Sequence, residues 1–364
     1  MNIKEELKRI EFNQTEPEVL RKLIQKAQRR GRKTQIQLKS LNTLTGHIIN
    51  ELKTRDFFPD KLKINEQLVE KCAIGIDGSF QLTGGIGGKW YVFLSVARIL
   101  FHDGIQSKPE VNVFWANIDE LDEHEDPRVN LLSEMKMLIG ESKALLNWGS
   151  KNKRSLIFID GPIVDPPFYR KEHNNYIDFR CQSIKTTFNK SILIGCVKRI
   201  REKFFINYIS KNYGINDVEK FPTDQHLMLF LFTKLRTIKT NGSIYTQWID
   251  LGEVDDPAIN KYNQKGIFLV SFFYERDIKS KILRIDLALN LSPKDNKDSV
   301  DILIRKIVNN LDYWTYPGQD PLPILLAHEK CNIRRGAAEI LYEEILTKSR
   351  SLDPFNQLVS IRMR

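Results

Sequence analysis

The sequence predicts an α/β protein built on a mixed sheet, with an antiparallel meander, later parallel strands, flanking helices and an N-terminal helical extension. From residue 71 onward, apolar runs bounded by Gly or Pro recur, which is typical of buried strands. The first three runs follow one another through short turns, whereas later runs alternate with stretches of helical spacing. Because tight turns join antiparallel strands and helical crossovers join parallel ones, both kinds of pairing are expected.

Residues 1–70 are assigned to the helical extension. Between Glu18 and Leu52, apolar residues recur at the spacing of one helix face, and Pro17 suits a first helical position. Gly31 is expected to break this helix, because glycine is a poor helix former.

The antiparallel meander follows the extension. Its predicted strands are Ile74–Asp77, Trp90–Ile99 and Glu110–Trp115, with a glycine-rich turn at 83–88 after the first. An acidic loop at 119–127 then leads into a helix from Arg128 to Trp148.

The remaining core elements alternate between strand and helix. A strand ending at Asp160 is followed by a helix at 176–189 and a strand at 191–197. This order of elements is that of the ribonuclease-H-like fold, in which the first and fourth strands are neighbours. Further strands are predicted at 268–274 and 282–289, and an apolar helix at 324–345. The core domain is assigned to 71–345 and a C-terminal tail to 346–364.

The composition limits the classes of function. The formal net charge of +10 suits a polyanionic partner, and two dense basic patches are the places where phosphates would be neutralised. The first patch holds Arg29, Arg30, Arg32 and Lys33, and the second holds Lys198, Arg199 and Arg201.

The chain is expected to be a cytoplasmic protein with reduced thiols. No stretch reaches the roughly 18 consecutive apolar residues of a membrane span, and the first residues lack the apolar region of a signal peptide. The four cysteines show no Cys-x-x-Cys spacing, which argues against a zinc site.

Two Asp-Gly dipeptides, Asp77-Gly78 and Asp160-Gly161, each end an apolar run. If the two strands are neighbours, the carboxylates lie together and repel each other, and a hard divalent cation such as Mn²⁺ or Mg²⁺ resolves the repulsion. A helix acid is the expected third ligand. Glu134 is favoured, and Glu141, seven residues on and near the same helix face, stays open.

Two further residues are candidates for the chemistry. Lys198 follows the strand after that of Asp160, where an ammonium would stabilise a phosphate. His328 lies in an otherwise apolar stretch, where it is a candidate metal ligand or proton-transfer group. For each residue the alternative is structural: a surface lysine and a hydrogen-bonded core histidine.

Taken together, these motifs resemble the NurA family of prokaryotic DNA nucleases. The resemblance is carried, in family order, by Ile76-Asp77-Gly78-Ser79, the helix of Glu134, Phe158-Ile159-Asp160-Gly161-Pro162, Gly195-Cys196-Val197-Lys198-Arg199, Tyr316-Pro317 and Ala327-His328. It implies a Mn²⁺-dependent enzyme that degrades DNA from 5′ ends and cuts single strands. It also implies a homodimer docked on a hexameric HerA-type translocase, acting in end resection, repair or antiviral defence.

The resemblance also assigns residues to the site. It implies that Asp77, Glu134 and Asp160 are the metal carboxylates and that Tyr316 and His328 form a late active-site pair. Tyr313 is the alternative to Tyr316, because the segment before His328 is longer than the family pattern leads one to expect.

Two other functions remain open at this point. One is a non-catalytic nucleic-acid-binding subunit in which the Asp-Gly dipeptides are only turns. The other is a ribonuclease-H-like nuclease acting on RNA, since both polymers offer the same phosphates.

Overall fold

The computed structural model of the chain describes residues 17–59, 69–86, 89–122, 129–164, 174–238, 242–254 and 256–349. The strands are β1 (Ala73–Ile86), β2 (Lys89–Phe101), β3 (Glu110–Asp122), β4 (Ser155–Asp160), β5 (Ser191–Val197), β6 (Ile244–Tyr245), β7 (Ile249–Asp250), β8 (Phe268–Glu275) and β9 (Leu283–Leu289). The helices are α1 (Pro17–Lys53), α2 (Val129–Gly149), α3 (Asn174–Lys185), α4 (Phe204–Tyr213), α5 (Asp224–Arg236), α6 (Pro257–Gln264), α7 (Lys297–Trp314), α8 (Leu322–Cys331) and α9 (Arg335–Ser349). Within the described residues, no helix is long and apolar enough to cross a bilayer.

One mixed sheet of nine strands organises the described chain. Its order is β3-β2-β1-β4-β5-β9-β8-β6, and β7 also pairs with β8. β1, β2 and β3 pair antiparallel, whereas β1, β4 and β5 pair parallel. The predicted meander and the predicted adjacency of the first and fourth strands are therefore confirmed.

Helices cover both faces of the sheet. Along β4, Ile157 and Ile159 point into the core under α1 to α6, whereas Leu156 and Phe158 point into the core under α7 and α8. The strand is therefore buried on both sides, which explains why its sequence is a continuous apolar run rather than an alternating one.

The first Asp-Gly dipeptide does not end its strand, contrary to the sequence prediction. β1 continues through Asp77 to Ile86 and takes up the first part of the predicted glycine-rich turn, because β2 pairs with it along this whole length. Only the parallel pairing with β4 stops near the dipeptide, at the pair Ile76 and Ile159. The second dipeptide behaves as predicted, since β4 ends at Asp160 and Gly161 turns with φ of +139°.

Two other boundaries differ from the prediction. β3 includes the first four residues of the predicted acidic loop, and residues 123–128 lie outside the described chain. These acids are tolerated in a strand because it is at the sheet edge, where Glu120 pairs with Lys89 and Asp119 with Lys136. The single helix predicted at 324–345 is instead α8 and α9, separated where Asn332 turns extended.

Gly31 does not break α1, contrary to prediction. The helix runs unbroken for 37 residues. A glycine costs a helix only about 1 kcal/mol, and the C-terminal end of α1 is held in the core by Ile48, Ile49 and Leu52.

α8 packs directly on the backbone of β1. A Cβ atom at Gly75 would stand 2.0 Å from the carbonyl oxygen of Pro323, in the first turn of α8. The glycine therefore sets how closely α8, which carries His328, approaches β1.

Replacing Gly75 with alanine is expected to lower the free energy of unfolding by about 3 kcal/mol, since the clash is with backbone atoms that cannot rotate away. Gly31→Ala is the matched control, because nothing lies within 4 Å of that position, and its stability should be unchanged or slightly raised. Urea unfolding of both variants measures the difference. Equal stabilities would show that α8 does not depend on this contact.

Candidate active site

Three side chains converge beside the end of the parallel pairing of β1 and β4. Asp77 comes from β1, Asp160 from β4 and His328 from α8, and one ligand atom of each lies within 4.8 Å of the others. Such a group occurs nowhere else in the described part of the chain. His328 Nδ1 and Asp77 Oδ2 are 2.8 Å apart and share a hydrogen bond.

The electrostatics of Asp77 follow from its surroundings. Asp77 is buried, with 5 % of its surface exposed. Burial, and then the nearby charge of Asp160, raise its pKa to about 6, although hydrogen bonds from His328 and the Gly78 N–H act in the opposite direction. Carboxylates placed so close favour a cation between them. Two carboxylates and an imidazole are a donor set that fits a divalent ion of the Mn²⁺ type.

Lys198 contacts the same cluster. The sequence placed it after the strand that follows that of Asp160 but did not predict its partners. Its Nζ is 2.7 Å from Asp160 Oδ2 and 3.2 Å from Asp320 Oδ2. Burial lowers the pKa of Lys198, but the two carboxylates raise it by more, so the net shift is upward.

Asp320 and Cys331 belong to the site but were missed in the sequence. Asp320 precedes α8 in the loop after Tyr316, and the buried Cys331 thiol donates to Asp77 Oδ2 over 3.6 Å. Burial, followed by the charge of Asp77, raises the pKa of this thiol. Asp320 offered one signal in the sequence, a charged residue between prolines just ahead of His328.

The helix acid in contact with this region is Glu141. A Cβ atom at Gly78 would stand 3.0 Å from Glu141 Oε1, so the missing side chain of Gly78 lets this buried carboxylate approach β1 beside Asp77. Glu134 is two turns earlier on α2 and half-buried, and no described hydrogen bond or ion pair joins it to the cluster. Glu134 therefore stays a prediction, and the geometry favours Glu141.

The two tyrosines occupy different places. The Tyr313 hydroxyl accepts a hydrogen bond from the Ile105 N–H at 3.1 Å, in the loop after β2. Tyr316 is 40 % exposed in the loop before α8. In the same loop, the Gly318 N–H donates hydrogen bonds to Asp277 and Ser280. Tyr316 is thus the tyrosine that shares a loop with Asp320.

The remaining basic candidates lie outside the cluster. Arg29, Arg30, Arg32 and Lys33 are all exposed on the middle of α1. Arg199 and Arg201 are exposed in the turn after β5, directly beyond Lys198. Their role in binding nucleic acid stays a prediction.

The fold and the site together define the class of protein. A mixed sheet with this strand order, carrying carboxylates where β1 and β4 leave their parallel pairing, is the ribonuclease-H-like fold expected from the sequence. The chain belongs to the NurA family, because the sequence profile of the NurA domain matches residues 73–333.

Three solved structures are similar to the chain, and the two with TM-scores above 0.5 share this fold. The NurA nuclease from Sulfolobus solfataricus is 15 % identical, with a TM-score of 0.59 over 93 % of this chain and 100 % of that one. A second NurA crystal structure is 13 % identical, with a TM-score of 0.53 over 87 % of this chain and 97 % of that one. A crystal structure of NurA with manganese is 11 % identical, with a TM-score of 0.47 over 87 % and 99 % of the two chains. Among curated proteins, none matches the sequence.

Replacing Glu141 and Glu134 one at a time should show which of them supports the metal site. Glu141→Gln is expected to weaken Mn²⁺ binding about 10–100-fold, the range found when a group that supports a metal site is removed. Glu134→Gln, on the same helix two turns away, should leave the affinity unchanged. Calorimetric titration of both variants with Mn²⁺ gives the comparison, and the reverse pattern would restore Glu134 as the third carboxylate.

Proposed function

We propose that the protein is a metal-dependent DNA nuclease that hydrolyses phosphodiesters. The observation that carries the proposal is the convergence of Asp77, Asp160 and His328, with the Lys198 ammonium 2.7 Å from Asp160. Membership of the NurA family supports the same activity.

Asp77, Asp160 and His328 would hold the metal ion, with Glu141 the favoured further carboxylate. A bound divalent ion polarises the phosphodiester, lowers the pKa of a bound water and stabilises the leaving oxygen. Imidazole suits transition metals, whereas Mg²⁺ prefers oxygen ligands alone, so the presence of His328 favours Mn²⁺ over Mg²⁺.

The chain itself supplies positive charge and orientation. The Lys198 ammonium, fixed by two carboxylates, is placed to stabilise negative charge that develops on the phosphate. His328 is oriented through Nδ1 by Asp77, so its Nε2 is the ring nitrogen that meets a ligand or a water. The His328 side chain is 58 % exposed, which leaves it accessible to a substrate.

A cleft beside Lys198 suits a nucleotide strand. The cavity of about 550 Å³ is lined by the exposed side chains of Leu229 and Ile278 together with Lys281. Apolar surface next to a lysine is suited to a base and its phosphate. The exposed basic residues Arg199 and Arg201, and those of α1, would extend contact along the DNA backbone.

Asp77→Asn and Asp160→Asn test the proposal. Each change keeps the shape of the side chain but removes a charged ligand, so Mn²⁺-dependent cleavage is expected to fall about 1000-fold, in line with the several kcal/mol that metal catalysis supplies. Asp103→Asn is the control, since Asp103 is 78 % exposed in the loop after β2 and pairs with Lys71. Cleavage of end-labelled DNA, with and without EDTA, is the measurement.

The same assay, together with DNA binding measured with and without EDTA, separates the other functions. Full activity of either site variant would contradict the assignment. DNA binding that ignores EDTA, with no cleavage in any metal, would indicate a non-catalytic binding subunit. Single-stranded DNA, duplex DNA and RNA substrates compared side by side would reveal an RNA-directed enzyme, and labels at each end would establish the proposed 5′-to-3′ exonuclease and single-strand endonuclease modes.

Family membership also supports a proposal about partners: a homodimer that works with a HerA-type hexameric translocase in end resection, repair or antiviral defence. Tagged protein is expected to co-purify with such an ATPase from cells that express both, and light scattering should give twice the chain mass. Asp77→Asn should keep both properties, since the change lies inside the site. A monomer that fails to capture the ATPase would contradict this part of the proposal alone.

A further inference from the structure

Lys198 occupies a position between two carboxylates that come from separate parts of the fold. Its Nζ is 2.7 Å from Asp160 Oδ2, at the end of β4, and 3.2 Å from Asp320 Oδ2, in the loop before α8. All three side chains are mostly buried, with exposures of 23 %, 16 % and 12 % for Lys198, Asp160 and Asp320. The ammonium is therefore a fixed charge rather than a surface lysine.

This arrangement has the form of a cation site. A ligand atom of Asp160 lies within 4.8 Å of Asp77 and His328, and Asp160 Oδ2 is 2.7 Å from Lys198 Nζ, so Asp160 is shared between two positions for positive charge. In two-metal phosphodiesterases a second ion, about 3.5–4 Å from the first, stabilises one oxygen of the displacement. We infer that the Lys198 ammonium takes the place of the second ion, so that the centre binds one divalent cation per chain. This inference rests on the proposed nuclease function.

The charges of the cluster agree with a single ion. Asp77, Asp160 and Asp320 together carry three negative charges, which one divalent ion and one ammonium balance. A second divalent ion beside Lys198 would leave two excess positive charges among these groups. Glu141 would add a fourth negative charge, so that one divalent ion leaves one excess negative charge and two leave one excess positive charge. The space between Asp160 and Asp320 decides the number, because Lys198 Nζ already occupies it and a second ion there would have to displace the ammonium.

Asp320 is the positioning residue for this lysine. The Gly318 N–H donates to Asp277 Oδ2 at 3.2 Å and to Ser280 Oγ at 3.1 Å, which fixes the loop that carries Asp320. Removing Lys198 would leave Asp160 and Asp320 facing the same space without a cation between them. That pair of carboxylates is then available to a hard divalent ion.

Counting bound Mn²⁺ by equilibrium dialysis tests the inference. Wild type is expected to bind one tight Mn²⁺ per chain, after subtraction of the ions bound by Asp160→Asn. Lys198→Met keeps much of the side-chain length without its charge and should bind two. Adding Asp320→Asn to Lys198→Met should return the count to one. Lys71→Met is the matched control, because Lys71 is 68 % exposed and pairs with Asp103 away from the cluster, and it should stay at one.

Cleavage rates of the same variants give a second test of the inference. Lys198→Met is expected to lose about 100-fold at low Mn²⁺, comparable to the loss of one charge-stabilising donor, and to recover in part as Mn²⁺ is raised. The Lys198→Met, Asp320→Asn double variant should lose as much and not recover. A structural role for Lys198 would give no metal-dependent recovery.

The outcomes distinguish the inference from the proposed function. A wild-type count of two overturns the inference but leaves the nuclease proposal intact, and it needs no variant to fold. A Lys198→Met chain that folds, as judged by circular dichroism, and still binds one ion also overturns the inference. A wild type that binds no Mn²⁺ and cleaves no DNA contradicts the proposed function itself.

Discussion

The parallel pairing of β1 with β4 is the constraint on which the site depends. The pairing runs to Ile76 and Ile159, so Asp77 and Asp160 are the next residues on adjacent strands. Neighbouring strands are about 4.8 Å apart. Because alternate residues of a strand face the same side, both aspartates lie on the face of the sheet that packs under α7 and α8. The sheet therefore forces two carboxylates together at one place. The side chains of His328, Cys331 and Lys198 lie where they can offset that repulsion.

The compensating groups come from elements that the fold anchors independently. α8 is seated on β1 through the contact of Pro323 with Gly75, and it brings His328 and Cys331 to Asp77. β5 ends at Val197 and delivers Lys198 to Asp160. Because each support belongs to a packed helix or strand, the geometry of the cluster is fixed by the core.

The closeness of Asp77 and Asp160 was predictable because a local pattern and the order of elements agree. Asp77 and Asp160 could be paired because each ends an apolar run and the strand order makes those runs neighbours. The length of β1 was missed because the residues after Asp77 lack an apolar run, and pairing with β2 extends the strand instead. Residue spacing left Glu134 and Glu141 open because a seven-residue separation puts both near one helix face. What favours Glu141 is its closeness to Gly78, a contact between distant segments.

The site also has to reconcile an acidic centre with an anionic substrate. Asp77, Asp160 and Asp320 would repel a phosphodiester if their charges were not offset, and the Lys198 ammonium offsets only one of them. A divalent ion held by Asp77, Asp160 and His328 would remove the remaining excess. The net charge of +10 acts at longer range, since a basic protein attracts a polyanion to its surface before any local contact forms. Attraction over distance and neutralisation at the centre are thus separate tasks, and only the second requires the buried geometry around β1 and β4.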